Sequence, residues 1–197
     1  MSHRTLPPDP SMTFGRQMQP LGALLPAVIR GTAVRLLQER DVERFHAYRS
    51  DAGLATYQGW SPMNIASARR FIEEMASVSG LRRADWVQLG IAEAATDVLV
   101  GDVGLYLEPD ESTVEIGFTL DREAQGTGHA TRGVQATLSL VFAATAANVV
   151  RAVTDARNAK SIRVLERVGF ARSHARQAVF KGEPCTELVY VYNRPDA

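Results

Sequence analysis

Cysteine occurs once in this chain, at Cys185, so no intrachain disulfide forms and a reducing compartment is the expected setting. No histidine lies near it in sequence, and a buried or half-exposed strand cysteine is the expected role. Histidine is scarce too. His3, His46, His129 and His174 are scattered with none of the spacings that hold a metal, so no metal is expected. Charge of one sign is missing: 22 basic and 22 acidic residues cancel, leaving no global field for nucleic acid or an acidic membrane. No apolar run reaches the ~18 residues of a membrane span. Leu21 to Ile29 is short, is interrupted by Pro26, and lacks the basic start of a signal peptide. These absences point to the cytoplasm, with neither nucleic acid nor a membrane as partner. Repeats, low-complexity tracts and interdomain linkers are absent as well. A chain of 197 residues then fits one domain with a full core.

What is present reads in order. Residues 1–30 hold five of the nine prolines and no period, which suggests a loosely ordered arm that docks around Leu21 to Ile29. Residues 31–197 form the domain. Ala33–Gln38 is a first strand, and Asp41–Ser50 is a helix with Val42 and Phe45 inward. The aromatic and polar loop LATYQGWSP (Leu54–Pro62) follows. Asn64 caps a second helix, with Phe71, Ile72, Met75 and Val78 at helical spacing and Gly80 as its end. Alternating strands come next at Trp86–Glu93, Val98–Leu107 and Thr113–Leu120. A long helix, the strand Val149–Asp155, a helix from Asn158 to Val168 and a final hairpin complete the chain. In that hairpin Ala171–Lys181 returns through Gly182–Pro184 to Thr186–Tyr192. Antiparallel strands followed by a βαβ crossover predict one α/β (α+β) domain with a mixed, mostly antiparallel sheet of seven strands and about four helices.

The most informative stretch is Thr113–Thr131, TVEIGFTLDREAQGTGHAT. An alternating strand passes through a charged turn into Gln125-Gly126-Thr127-Gly128-His129-Ala130, where a helix begins. The first amides of a helix lack internal partners, and the helix dipole adds roughly half a positive charge there. Gly126 and Gly128 allow close backbone approach, so a pyrophosphate is the natural guest. The turn lacks the lysine of a P-loop. A Rossmann-type site needs a βαβ unit near the start and an acidic residue about 20 residues after the turn, which the preceding meander argues against.

Three motifs then occur in order: EIGFTL, QGTGHA and DARNAKSIRVLERVGF. Together with LATYQGWSP and a helix containing RRFIEEM, they resemble the GNAT family of N-acetyltransferases, and within it the ribosomal-protein (RimJ/RimL-like) branch. The likeness runs from about Thr32 to Tyr192. It implies a sheet splayed between its fourth and fifth strands, Thr113–Leu120 and Val149–Asp155, with acetyl-CoA as co-substrate. Backbone groups of Phe118, Thr119 and Leu120, left without strand partners, would then pair with the pantetheine arm. Gln125 to Ala130 would hold the pyrophosphate. Asn158 caps its helix and also matches the family asparagine that bonds the pantetheine. Arg163 or Arg167 would meet the 3′-phosphate.

The chemistry implied is direct attack of a primary amine on the thioester in a ternary complex. Glu115, in the family's EIGY-like segment, is the expected base. An amide near Phe118 would polarise the carbonyl. Many members place a tyrosine where this chain has Leu165, which leaves the Ser161 hydroxyl as the expected proton donor to the leaving thiolate. Tyr57, Trp60 and Tyr190 are expected at the acceptor, with Glu183 or Glu187 attracting a cationic amine. An α-amine near pKa ~7.7–8.0 needs less help than a lysine near ~10.4, which favours a protein N-terminus. The alternatives are a small-molecule amine such as an amino acid, polyamine or drug, or a catalytically weak CoA-binding sensor. The final hairpin offers an edge for a homodimer, with a monomer equally open.

Overall fold

The computed structural model describes residues 18–195. The expected arm falls partly outside them, but the part inside is folded. Leu21 is fully buried and its amide donates to Ser79 (2.8 Å), while the Gln19 amide donates to Ala144 (2.9 Å). Beyond it, Ala27–Ile29 forms a short strand, β1, that turns at Arg30-Gly31 onto β2 (Thr32–Leu36). The domain therefore begins before residue 31, and the sheet has eight strands rather than seven. A three-residue strand has too little alternation to be seen in a sequence.

The other strands are β3 (Trp86–Glu93), β4 (Leu99–Leu107), β5 (Thr113–Leu120), β6 (Val149–Asp155), β7 (Ala171–Phe180) and β8 (Glu183–Asn193), in the spatial order β1-β2-β3-β4-β5-β6-β8-β7. Every pairing is antiparallel except β5 with β6, which the crossover helix makes parallel. The final turn falls at Lys181-Gly182, both with positive φ (52° and 84°), the backbone that a two-residue hairpin requires. It lies one residue earlier than the glycine and proline suggested.

The helices are α1 (Val42–Arg49), α2 (Ala52–Ala55), α3 (Ile65–Ala76), α4 (His129–Ala144) and α5 (Ala159–Val168). Asn64 caps α3 through its Oδ1, which accepts the Ser67 amide at 2.9 Å, but the helix ends at Ala76 rather than at Gly80. The expected loop after Leu54 is entered through α2, whose cap Asp51 accepts from Gly53 (2.7 Å) and Leu54 (3.2 Å). One layer of helices, α1 and α3, covers one face of the sheet; α4 crosses β1 to β5 on the other, beside α5. Phe45 of α1, fully buried, stacks on the half-buried Phe71 of α3 with centroids 5.5 Å apart.

The α1 face carries a buried ionic network. Asp102 of β4, fully buried, accepts the Tyr48 hydroxyl (2.7 Å) and Arg49 Nη2 (2.7 Å) from α1, and also Gln88 of β3. Burial, reinforced by the Asp102 charge, holds the Tyr48 phenol well above its usual range, so it stays protonated and donates. The Arg49 guanidinium also lies 4.5 Å from the Trp60 ring centroid. The network thus ties α1, the sheet and the segment after α2 together.

Removing one member of a buried pair strands the other. Asp102→Ala is expected to cost about 3–5 kcal/mol, read as a lowered urea midpoint with an unchanged slope. The double variant Asp102→Leu/Arg49→Met should recover most of that loss.

Candidate active site

The sheet opens between β5 and β6. The two pair in register from Thr113↔Val149 to Ile116↔Ala152, and then the pairing stops. Beyond that point β5 stays with β4 as far as Leu120↔Gly101, while β6 stays with β8 as far as Asp155↔Glu187. The ladder fixes what faces the gap. The Glu108 amide donates to Thr113 and the Asp121 amide to Val100, both at 3.0 Å, so odd-numbered residues of β5 turn their backbone groups toward β4. Phe118 and Leu120 therefore direct their N–H and C=O into the opening. Both carbonyls are met by side chains: Gln58 Nε2 donates to Phe118 (3.3 Å) and Gln125 Nε2 to Leu120 (3.2 Å). Lys160 Nζ in turn donates to Gln125 Oε1 at 2.7 Å.

At the far end of β5 the chain makes a short helical turn (Arg122–Ala124) capped by Asp121, then passes Gly126 and Gly128 into α4. Both glycines have positive φ (83° and 88°), a backbone that a side chain would strain. A Cβ at Gly126 would meet nothing within 4 Å, so the surface over this turn is open backbone. The Gly128 carbonyl accepts the first helical bond, from Arg132 (3.1 Å), so the amides of residues 129–131 have no partner within the helix. That is an anion-binding edge.

Between the gap and the turn lies a cleft of about 940 Å³. Phe118, Thr119, Leu120, Gln125, Gly126, Gly128, Ala130, Asn158, Ser161 and Tyr57 line it, so most of the sequence-predicted residues converge there. Asn158 Oδ1 caps α5 by accepting the Ser161 amide at 3.2 Å. The cleft is cationic: Arg122, Arg157, Lys160, Arg163 and Arg167 line it, and among the described residues no Asp or Glu does. Two of the cations are held by carboxylates outside the lining. Asp51 accepts Arg122 Nη2 at 2.8 Å, which holds the Asp51 carboxyl well below the usual range. Asp155 grips Arg157 through two side-chain bonds (2.6 and 2.9 Å) and is likewise lowered, chiefly by that pairing. Among the described residues, no ion pair engages Arg163 or Arg167.

Five of the predicted residues have side chains that lie outside this lining. Glu115 is not brought to the cleft. Its Oε2 accepts Arg151 Nε (2.9 Å) and Nη2 (2.7 Å), and Arg151 also pairs with Glu108. As an odd-numbered residue it shares the α1 face with Thr119, whose partner Asp102 bonds α1, and it sits about 10 Å along the strand from Phe118 at roughly 3.3 Å per residue. His129 turns its ring away to β2, where Nδ1 meets the Thr32 hydroxyl at 2.8 Å. Burial, then the nearby Arg132, lowers its pKa. Thr127 bonds its own turn through Ala124 (2.6 Å) and also stays out of the lining. Trp60 stacks on Arg49 rather than facing the cleft. Tyr190 lies opposite Ala152, buried against α5, with its hydroxyl bonded to Glu166 at 3.1 Å. The register of β8 on β6 sets that face, and no local pattern reveals it.

Arg122, Arg157 and Lys160 were not anticipated at the site, and Gln58 was expected there only as part of the loop Leu54–Pro62. A local signal existed for α5 alone, where Lys160, Arg163 and Arg167 recur at i, i+3 and i+7 on one stripe.

The comparisons with known proteins agree with this geometry. The chain is 25% identical over 141 residues to the uncharacterized N-acetyltransferase p20 of Bacillus licheniformis, covering 71% of this chain and 78% of that protein. Among solved structures, RimL, a ribosomal L7/L12 alpha-N-protein acetyltransferase in complex with coenzyme A, superposes with a TM-score of 0.71 at 16% identity, covering 85% of this chain and 97% of that one. A spermidine N-acetyltransferase from Vibrio cholerae, in complex with CoA and spermine, also gives 0.71 at 16% identity, covering 84% and 96%. The acetyltransferase (GNAT) domain model matches residues 32–171, a span that takes in the parted strands, the glycine turn and α5 together, and the chain belongs to the GNAT acetyltransferase family.

Proposed function

We propose that this chain, an acetyl-CoA-dependent N-acetyltransferase of the ribosomal-protein branch, acetylates the α-amine of a protein N-terminus. The observation that supports the acceptor class is that, among the described residues, no carboxylate lines the cleft. A polycationic acceptor gains nothing there. An amine of high pKa finds no free carboxylate to take its proton, because Glu115 is bound to Arg151. An α-amine, with a pKa of ~7.7–8.0, arrives substantially neutral without a base. RimL and the spermidine enzyme match equally well in fold, so the acceptor is argued from charge and not from likeness.

Acetyl-CoA supplies the thioester, and the chain's residues supply the rest. The backbone groups of Phe118 and Leu120 that point into the opening fit the two amides of a pantetheine arm, which adds to β5 like an extra strand. The free amides at the start of α4 and the open backbone at Gly126 suit the pyrophosphate. Arg163 and Arg167 suit the 3′-phosphate. As the amine nitrogen bonds the carbonyl carbon, an amide near Phe118 stabilises the developing oxyanion. The carbon–sulfur bond then breaks; the Ser161 hydroxyl, in the first turn of α5 on the cleft wall, protonates the departing sulfur and regains, through solvent, the proton that the attacking nitrogen loses as it becomes an amide.

Acetyl-CoA at 100 times its Kd should stabilise the protein by about 2.7 kcal/mol in a thermal-shift assay, and NAD should not. No shift with acetyl-CoA sinks the reading. With N-terminal peptides as acceptors, thiol release by Ser161→Ala should fall about 100-fold in kcat with little change in acetyl-CoA KM. Glu115→Gln should keep kcat within a few-fold. Faster turnover of spermine than of any peptide would overturn the acceptor class while leaving the donor in place.

A further inference from the structure

We propose that Gln58 is a positioning residue that couples donor binding to the placement of the wall formed by residues 51–60. The inference rests on the assignment of the cleft to acetyl-CoA. Gly53, Leu54, Tyr57 and Gln58 all line the cleft opposite α5. The ends of the segment are anchored away from the gap. Asp51 holds Arg122, and Lys181 Nζ, reaching over from the final hairpin turn, donates to the carbonyls of Ala55 (2.8 Å) and Trp60 (2.9 Å). Trp60 rests on the buried Arg49. Between these anchors, the Gln58 carboxamide bonds the wall directly to β5.

Its acceptor matters. The Phe118 carbonyl is one of the two that the β4 ladder turns into the opening, so it is a group that a pantetheine amide pairs with when it adds as a strand. That amide would reach the same oxygen that the Gln58 nitrogen bonds at 3.3 Å. Donor and wall therefore compete for one atom. When the donor takes it, the stretch from Thr56 to Gly59, exposed over most of its length, is released while Lys181 and Asp51 keep its ends in place. Gln125, which meets the Leu120 carbonyl, belongs to the pyrophosphate turn, so its release moves no part of this wall. Linkage makes the effect reciprocal: whatever removes the Gln58 bond strengthens donor binding by the factor that the bond withheld.

Calorimetry on the full chain with CoA tests this. A hydrogen bond of ordinary net worth predicts that Gln58→Ala and the near-isosteric Gln58→Met each tighten Kd about 3- to 10-fold. Adenosine 3′,5′-bisphosphate, which carries the phosphates without a pantetheine arm, should bind all three proteins alike. Hydrogen exchange gives a second readout: CoA should speed exchange of amides 56–59 in the wild type, while in both variants they already exchange fast and change little. Unchanged or weaker CoA binding in both variants, an equal change with the bisphosphate, or slowed exchange at 56–59 each overturns the proposal. Absence of CoA binding by the wild type would instead overturn the donor assignment beneath it.

Discussion

Two strands that begin as neighbours and then part are the constraint on which the rest of this structure depends. β5 and β6 share four residue pairs and separate after Ile116 and Ala152. In an ordinary sheet the backbone groups beyond that point would be satisfied by continuing the ladder. Here they form an interior edge, and an interior edge must be met by something polar. The chain answers with two glutamines, one from the wall after α2 and one from the glycine turn. It also brings the start of α4 and the start of α5 to the same place. Amides without helical partners, strand groups without ladder partners and a hydroxyl in a first helical turn thus meet in one cleft. The fold needs no special residue to open this cleft; the parting of the strands accounts for most of it.

Electrostatics refine what the backbone begins. The chain carries no net formal charge, yet the cleft lining holds five cations and, among the described residues, no acid. The balancing acids act from behind. Asp51 and Asp155 hold Arg122 and Arg157 in fixed directions, which lowers the entropy lost when those guanidiniums meet an anion. In the proposed function Arg163 and Arg167 are left to approach an outer phosphate. A field built from local arrangement rather than net charge selects an anionic ligand without making the whole surface sticky.

Much of this was legible because it is local. The alternation of Thr113–Leu120, the glycines of QGTGHA and the capping Asn158 each act through residues a few positions away, and each stands where its pattern predicts. Most of the residues found elsewhere are held there by nonlocal contacts. Glu115 and Arg151 are 36 positions apart, and Gln58 and Phe118 are 60 apart. Tyr190 is core because β8 meets β6 in a register that puts it opposite Ala152. A shift of one residue would have turned it to the other face. Trp60 could be read as a binding aromatic or as packing, and its ring covers the guanidinium that neutralises Asp102. β1 is too short to show a period at all.

The two substrate sides differ in how firmly they are made. The proposed donor side consists of strand backbone and two helix starts, built on a core in which Val114, Ile116, Val134 and Leu165 are almost wholly buried. The wall facing it is a short helix and a turn, held by Asp51 with Arg122, by Lys181 across the hairpin, and by one carboxamide on β5. Several of those contacts are solvent-exposed, and such segments rearrange at the low end of a protein's local stability. The rigid part recognises what every use of the enzyme shares. The adjustable part borders what must differ from one acceptor to another, and its inner attachment is to an atom that the rigid part offers to the donor.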